Sequence, residues 1–258
     1  MRNIHIKAPL KAIILAAGLG SRISPLTDNC PKSLLQIGGK TILEMMIAQI
    51  QENGINDVTF VLGYLQQNIM DHVKTNFPEL NAQFITNPRY TETNTGYSLM
   101  LAIESMQGTA FVKFDADVVF DSQILKILIE SDAENCLCID KNINLDAEEI
   151  KVIIDKTNRV LKASKTVNPK DAIGESIGIE KISSHTSRLL LAELQSMMKD
   201  DRNLQEYYEG AYERLIDKNV TFQALDITGL KWTEIDTKED FKVAENLFRQ
   251  GASLSQVA

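Results

Sequence analysis

Two spacings of apolar residues alternate along the first half of the chain. LKAIILA (10–16) and DVTFVLG (57–63) are short apolar runs that end at a glycine. They predict strands buried on both faces, as in a parallel sheet. Between them, TILEMMIAQIQENG (41–54) places Ile42, Met45, Met46 and Ile50 at helical spacing, with Gly54 as the stop. LQQNIMDHVKTNF (65–77) is helical and ends before Pro78. NAQFITN (81–87) predicts a third strand and TGYSLMLAIESM (95–106) a helix. TAFVKFDAD (109–117) reads as a strand ending in carboxylates, and SQILKILIES (122–131) as a further helix. This alternation predicts an α/β fold with a Rossmann-like, doubly wound, mostly parallel sheet. Ligands of such sheets sit at the carboxyl ends of the strands. The loop after Ala16 and the Asp115/Asp117 pair both fall there.

The second half changes period. ENCLCID (134–140), EEIKVIID (148–155), RVLKASK (159–165) and ESIGIEKI (175–182) read as short strands, with DKTNRV (155–160) as a hairpin turn. SHTSRLLLAELQSMM (184–198) and NLQEYYEGAYERLID (203–217) have helical patterns, while VTFQALDI (220–227) and KWTEID (231–236) are strand-like. TKEDFKVAENLFRQ (237–250) begins at a Thr237 cap and carries Phe241, Ala244 and Phe248 as a stripe. The pattern predicts one domain over 1–250: a nucleotide-binding half of about 10–131 and an acceptor-binding half of about 132–250, with a smaller antiparallel lobe over the crevice. The tail 251–258 is expected to fray.

Composition narrows the partners. The chain has 258 residues, a net charge of −8 and a pI near 5.0. Nucleic acid and anionic membrane surfaces need a basic face, so neither is an expected partner. No apolar stretch has the length of a membrane span, and the amino terminus lacks a signal-peptide core, so a cytoplasmic location is expected. Cys136 and Cys138 alternate onto one face of a strand, and with Cys30 make an odd number, which argues for buried thiols rather than disulfides. His5, His72 and His185 lie outside every motif and read as surface or structural residues.

The loop LAAGLGSRISPLTDNCPKSLL (15–35) carries the chemistry. A dinucleotide fingerprint would need a third glycine where Ile23 stands, and an acidic residue ending the second strand, where Gly63 and Tyr64 stand. A P-loop ending in GGKT (38–41) would need its first glycine at Leu34; Gly38-Gly39 reads instead as a turn into a helix at Thr41. Leu15, Ala17, Gly18, Gly20 and Arg22, followed by Pro31-Lys32, match the L-x-A-G-x-G-x-R…P-K signature, so the chain resembles the sugar-nucleotide type of nucleotidyltransferase from Leu10 to about Gln250. Glycines let backbone N–H groups approach a triphosphate. Arg22 supplies fixed donors, and Lys32 a mobile charge at the reacting phosphorus. The alternative is that both are solvated loop charges.

The resemblance implies further roles. Leu15, Ala16, Ala17, Gly18, Gly20 and Ser21 are expected around the nucleotide, with the segment 23–30 as a lid over it. Asn87, Asn94, Gly96 and Ser98 are candidates for the base edge, although Asn94 also reads as a helix cap and Ser98 as an ordinary helix position. Mg²⁺ is the implied cofactor, held by Asp117 and Asp236. Asp115 is expected behind them and Glu234 as a weaker candidate on the same strand face. Asp236 alone would also suit a helix N-terminus. KAIILAAGLGSR, PKSLL, GYSL and DAD together resemble the cytidylyltransferases of small phospho-alcohols and phosphonates. CTP is then the expected donor and a phosphocholine- or 2-aminoethylphosphonate-like molecule the acceptor. The alternatives are a sugar-1-phosphate enzyme using UTP or dTTP, and a non-catalytic nucleotide-binding regulator. Members of the family are often dimers, so the resemblance allows a homodimer.

The acceptor wall is expected from the second half. A cationic head group favours aromatic faces or carboxylates. Tyr207, Tyr208, Tyr212 and Trp232 offer the first, Glu175 and Glu209 the second, although some of these tyrosines also fit a helix core. Lys151 and Lys162 are candidates for the acceptor phosphate; Lys151 also fits a solvent-facing strand position.

Overall fold

The computed structural model describes residues 10–106, 108–142 and 145–248. In chain order these form β1 (Lys11–Ala16), β2 (Gln36–Ile37), β3 (Lys40–Thr41), α1 (Ile42–Glu52), β4 (Asp57–Leu62), α2 (Gln66–Asn76), β5 (Asn81–Thr86), α3 (Thr95–Met106), β6 (Phe111–Asp115), β7 (Val118–Phe120) and α4 (Ser122–Glu130). They continue as β8 (Cys136–Asp140), β9 (Lys151–Ile154), β10 (Val160–Ser164), β11 (Gly174–Ile182), α5 (Ser184–Met197), α6 (Glu209–Asp217), β12 (Gln223–Asp226), β13 (Trp232–Glu234) and α7 (Lys238–Phe248). The expected tail 251–258 and His5 lie outside the described residues.

Among the described residues one nine-stranded sheet dominates. β5, β4, β1 and β6 are parallel neighbours, with Ile14 opposite Phe60 on one side and Phe114 on the other. β11 joins β6 antiparallel, and β8 and β12 extend the sheet beyond it. The second half therefore continues the sheet of the first. Its antiparallel lobe reduces to the β9–β10 hairpin attached to the start of β11. α1, α2 and α4 cover one sheet face; α3, α5 and α6 cover the other. This explains the apolar runs of β1 and β4: both of their faces are inside.

β8 shows the period of two. Cys136 and Cys138 point into one core, Leu137 and Ile139 into the other. Both cysteines are buried free thiols. Gly38 and Gly39 have φ of 60° and 90° and form the two-residue turn between β2 and β3, a conformation that favours glycine. Thr41 then caps α1: its hydroxyl accepts from Glu44 N at 3.0 Å, and the Glu44 carboxylate accepts from Thr41 N at 2.8 Å.

The helical pattern at 203–217 becomes a helix only from Glu209. The residues before it turn instead, and the carbonyls of Leu204 and Glu206 accept from Asn94 N and Gly96 N at the head of α3. A helix through 203–208 would have used those carbonyls internally.

A third small core fixes the phosphate-loop region. Ile23, Leu35, Ile37 and Ile42 pack with Val119, Ile235 and Ala244. The carboxy-terminal helix α7 and the antiparallel ribbon of β7 and β13 thereby return to the first loop of the chain.

Candidate active site

The sheet's carboxyl edge opens into a crevice of about 750 Å³ between the loop after β1 and the second half. It sits where the strand order reverses around β1 and β6, the position that open α/β sheets offer to ligands.

The loop after β1 forms one wall. Leu15, Ala16, Ala17, Gly18, Gly20, Ser21, Arg22 and Lys32 all face the crevice. Gly20 has a φ of 63°, and Thr27 Oγ1 donates to its carbonyl at 2.8 Å, curling the loop back on itself. A Cβ at Gly18 would meet no atom within 4 Å, so that glycine leaves an open approach to the backbone. Tyr64 O–H donates to Thr27 O and Asp28 O, tethering the segment that follows.

The acids form the floor. The β7–β13 ribbon pairs Val118 with Glu234, and Ile235 N donates to Asp117 O at 3.1 Å, which places Asp117 beside Asp236. Lys32 Nζ bridges them, 2.5 Å from Asp117 Oδ2 and 2.8 Å from Asp236 Oδ1. Arg22 Nη2 takes the other Asp236 oxygen at 2.7 Å. Burial alone would favour a neutral Lys32 amine, but the two carboxylates outweigh it and hold the ammonium above the usual lysine range. Carboxylate oxygens of Asp117, Glu234 and Asp236 lie within 4.8 Å of one another. Glu234, although partly open to solvent, is pushed above the usual range by crowding in the crevice and by the charges of Asp117 and Asp236. Asp117 Oδ1 is buried with no hydrogen-bond partner. An all-oxygen acidic donor set with an unused buried oxygen suits a hard divalent cation such as Mg²⁺.

Beneath this floor lies a buried charge network. Lys113 of β6 is fully buried, with Nζ 2.8 Å from Asp115 Oδ2 and 2.8 Å from Glu180 Oε2 of β11. Tyr208 O–H also meets Lys113 and donates to Asp115 Oδ2 at 2.7 Å. Burial pushes Glu180 up to about 8 against the pull of Lys113, and raises Asp115 as well. Gly178 makes room: its φ is 74°, and a Cβ there would stand 2.5 Å from Asp115 Oδ2.

Towards the second half the crevice becomes acidic and aromatic. Trp232 Nε1 donates to Asp140 Oδ2 at 2.7 Å. Glu175 and Glu209 face the same space and are 5% and 7% exposed. Burial, then the charges of Glu149 and Asp140, push Glu175 up to about 8, with Lys151 opposing. Burial pushes Glu209 up to about 7, with Lys113 opposing.

Of the candidate site residues singled out from sequence, all but four line this crevice. Lys151 is 1% exposed, and its ammonium donates to Asp146 O and Glu149 O at 2.7 and 3.0 Å, outside the lining. It fixes the turn before β9, so the acceptor contact expected of it is corrected. Gly96 also lies outside the lining: it packs under the 204–207 turn, where a Cβ would meet Glu206 O at 2.8 Å. Lys162 does not reach the crevice, and Tyr212 is a core residue stacked between Tyr208 and Phe222. Asn87 faces the crevice with its amide engaged, donating to Thr93 Oγ1 and Ser98 Oγ. His72 contacts Thr41 and Glu44, and His185 is exposed away from the crevice.

Sequence reasoning missed four residues. Thr95 Oγ1 is buried, unpartnered and beside Asn94. Lys165 reaches the crevice from the end of β10 and meets Glu148 Oε2 at 3.4 Å. Lys113 and Glu180 looked like ordinary alternation in strands, and only the pairing of β6 with β11 makes them one cluster.

Comparison with known proteins agrees with this geometry. A family model described as MobA-like NTP transferase domain matches residues 12–148. A choline-phosphate cytidylyltransferase of Streptococcus pneumoniae is 39% identical over 108 residues, 42% of this chain and 44% of that protein. A CTP:phosphoglutamine cytidylyltransferase of Campylobacter jejuni is 28% identical over 91% of this chain and 98% of its own length. Among solved structures, a CTP:phosphocholine cytidylyltransferase from Streptococcus pneumoniae superposes with a TM-score of 0.76 at 24% identity, over 92% of this chain and 98% of the other. An inositol-1-phosphate CTP transferase from T. maritima gives 0.77 at 20% identity, covering 94% and 96%. At these identities the structural matches establish the fold. No helix of the described residues is long and apolar enough to cross a membrane.

Proposed function

The chain belongs to the MobA-like NTP transferase family, and on that premise we propose that it transfers a cytidylyl group from CTP to a small phosphorylated or phosphonate acceptor with a cationic head group. The observation that carries this reading is one crevice with two characters. A glycine-lined loop with Arg22 and Lys32 stands over three clustered carboxylates, and an acidic, aromatic pocket opens beside them. The choline-phosphate and phosphoglutamine cytidylyltransferases among its relatives, with a CMP-5'-(3-aminopropyl)phosphonate synthase of Streptomyces rubellomurinus that is 25% identical over 93% of this chain and 39% of its own length, support CTP and a small phosphorylated or phosphonate acceptor over a sugar phosphate.

The roles follow from placement. Backbone N–H groups of 16–20 and the Arg22 guanidinium take the triphosphate oxygens. The segment 23–30, expected as a lid, lies outside the crevice lining and is anchored by the Ile23 core and by Tyr64, so the lid reading is dropped. Asn94, Thr95 and Ser98 stand at the base end. Lys32 sits where charge develops on the reacting phosphoryl group and stabilises it. Lys165 meets the acceptor phosphate or phosphonate, whose oxygen attacks the α-phosphorus in line with departing pyrophosphate. Asp117 and Asp236, with Glu234, hold Mg²⁺, which when bound supplies charge neutralisation at the phosphates. No protein nucleophile is required, since positioning and charge stabilisation provide the acceleration.

Pyrophosphate release tests the reading, with CTP, UTP, dTTP and ATP each against phosphocholine, 2-aminoethylphosphonate, inositol phosphate and glucose-1-phosphate. The expected result is turnover with CTP and an amino-alcohol phosphate or aminophosphonate. Turnover confined to glucose-1-phosphate with UTP or dTTP overturns it.

A further inference from the structure

Two buried carboxylate oxygens in the acceptor pocket have no partner. Glu175 Oε2 and Glu209 Oε2 are shielded from solvent and make no hydrogen bond, yet both side chains line the crevice. Most other polar atoms around them are committed. Asp140 accepts from the Trp232 indole and from Asn142 N. Asp115 Oδ2 accepts from Lys113 and Tyr208, while its Oδ1 is likewise unpartnered, beside the charge of Lys113. Lys151, the nearest cation to Glu175 in charge terms, spends its ammonium on two backbone carbonyls. An acceptor left unmet in a buried site costs free energy until a donor arrives.

The aromatic surfaces argue in the same direction. A quaternary ammonium has no N–H and is held by stacked aromatic faces. Here the Tyr208 ring carries Lys113 Nζ 3.7 Å from its centroid and Tyr212 at 5.3 Å. Lys165 Nζ stands 4.9 Å from the Tyr207 centroid. The protein's own lysines thus already occupy both tyrosine faces, and Trp232 lines the crevice as a further ring without such a cation among the described residues.

We infer that Glu175 and Glu209 select an acceptor whose cation is a hydrogen-bond-donating amine, in preference to its quaternary counterpart; this rests on the cytidylyl-transfer reading above. A primary ammonium brings three N–H donors that can meet free carboxylate oxygens such as these. Each methylation removes one donor and adds bulk. A site built to bond an N–H discriminates strongly against the analogue that lacks it.

The test is the methylation series of phosphoethanolamine, from the free amine through the mono- and dimethyl compounds to phosphocholine, with CTP and Mg²⁺. The expected kcat/KM falls at each step and by about 100-fold or more across the series. In Glu175→Gln and Glu209→Gln that ratio collapses towards one, whereas a merely structural residue would lower every member alike and leave the ratio intact. Thermal melts confirm that each variant is folded. Equal or better kcat/KM with phosphocholine overturns the inference and leaves the cytidylyl-transfer reading standing. Turnover with sugar phosphates alone overturns both. If turnover is too slow to rank, calorimetric titration of the four compounds into the CTP-loaded protein gives the same ranking by affinity, and a flat ranking overturns the inference.

Discussion

Replacing Lys32 by methionine keeps the aliphatic stem and removes the ammonium from between Asp117 and Asp236. The native contacts are 2.5 and 2.8 Å, in a pocket that leaves the lysine side chain 16% and each aspartate 21% exposed. Breaking a fully buried pair costs about 3–5 kcal/mol and an exposed one about 0–1 kcal/mol. This partly open cluster falls between, at about 1–3 kcal/mol. At about 2–4 °C per kcal/mol for a domain of this size, the metal-free variant melts about 2–12 °C lower. Added Mg²⁺ reverses the loss, because the variant leaves three acidic side chains within 4.8 Å and only Arg22 beside them. The ammonium also competes with metal for the same oxygens. Removing a unit charge at this range favours a cation by at least about 1 kcal/mol, so nucleotide-free Mg²⁺ affinity rises by about fivefold or more. Turnover is lost all the same. The assays are calorimetric melting with and without Mg²⁺, Mg²⁺ titration without nucleotide, and pyrophosphate release. An unchanged melting temperature together with unchanged or weaker Mg²⁺ binding would refute the assignment of Lys32 as counter-ion to the metal-binding acids.

Four further outcomes are expected. Gly178→Ala forces a Cβ to 2.5 Å from Asp115 Oδ2 at a φ of 74°; the left-handed backbone and the displaced carboxylate together cost about 2–4 kcal/mol, read as a lower melting temperature. Gly18→Ala, with nothing within 4 Å of its Cβ, leaves the melt unchanged and raises the KM for CTP about tenfold or more, because the methyl group stands where the triphosphate approaches. Lys165→Ala raises the acceptor KM with little change in that for CTP; an unchanged acceptor KM removes Lys165 from the site. Finally, Glu175, Glu180 and Glu209 have folded pKa values raised to about 8, 8 and 7. A carboxyl raised on folding stabilises the protein fully below its unfolded pKa of about 4.3, and loses that contribution as pH rises through the folded value. The ligand-free protein is therefore expected to melt lower at pH 9 than at pH 6, while the KM of a cationic acceptor falls over the same interval as Glu175 and Glu209 ionise. A melting temperature that rises across that range contradicts the buried neutral carboxyls.

What the sequence revealed and what it hid divide along a physical line. Signals held within one segment were legible. The apolar runs of β1 and β4, the Gly38-Gly39 turn and the Thr41 cap each encode their conformation in a few neighbouring residues. The loop of 15–35 was legible for the same reason, since its glycines, Arg22 and Lys32 lie close along the chain. Asp236 was harder. Its placement beside Asp117 depends on the β7–β13 ribbon, and by chance alone an acid before a helix is a cap. Only its agreement with the loop signature singled it out.

Side-chain direction was the least legible property. Lys151 and Lys165 both sit in or near short strands of the same hairpin, and nothing local separates them. The turn at 146–149 supplies carbonyls that capture Lys151, and the end of β10 frees Lys165 to reach the crevice. Lys113 and Glu180 are a stronger case. Charged residues at alternating strand positions normally face water. Here β11 sets Glu180 directly beside Lys113, and Tyr208 covers both from the turn before α6. The charges are then buried together, with several carboxylates drawn towards one lysine. That excess of buried acid runs on from the floor beneath Asp117 through Glu209 to Glu175. The metal at one end and a cationic head group at the other would each relieve it, so the same imbalance that weakens the empty protein favours the ligands it awaits.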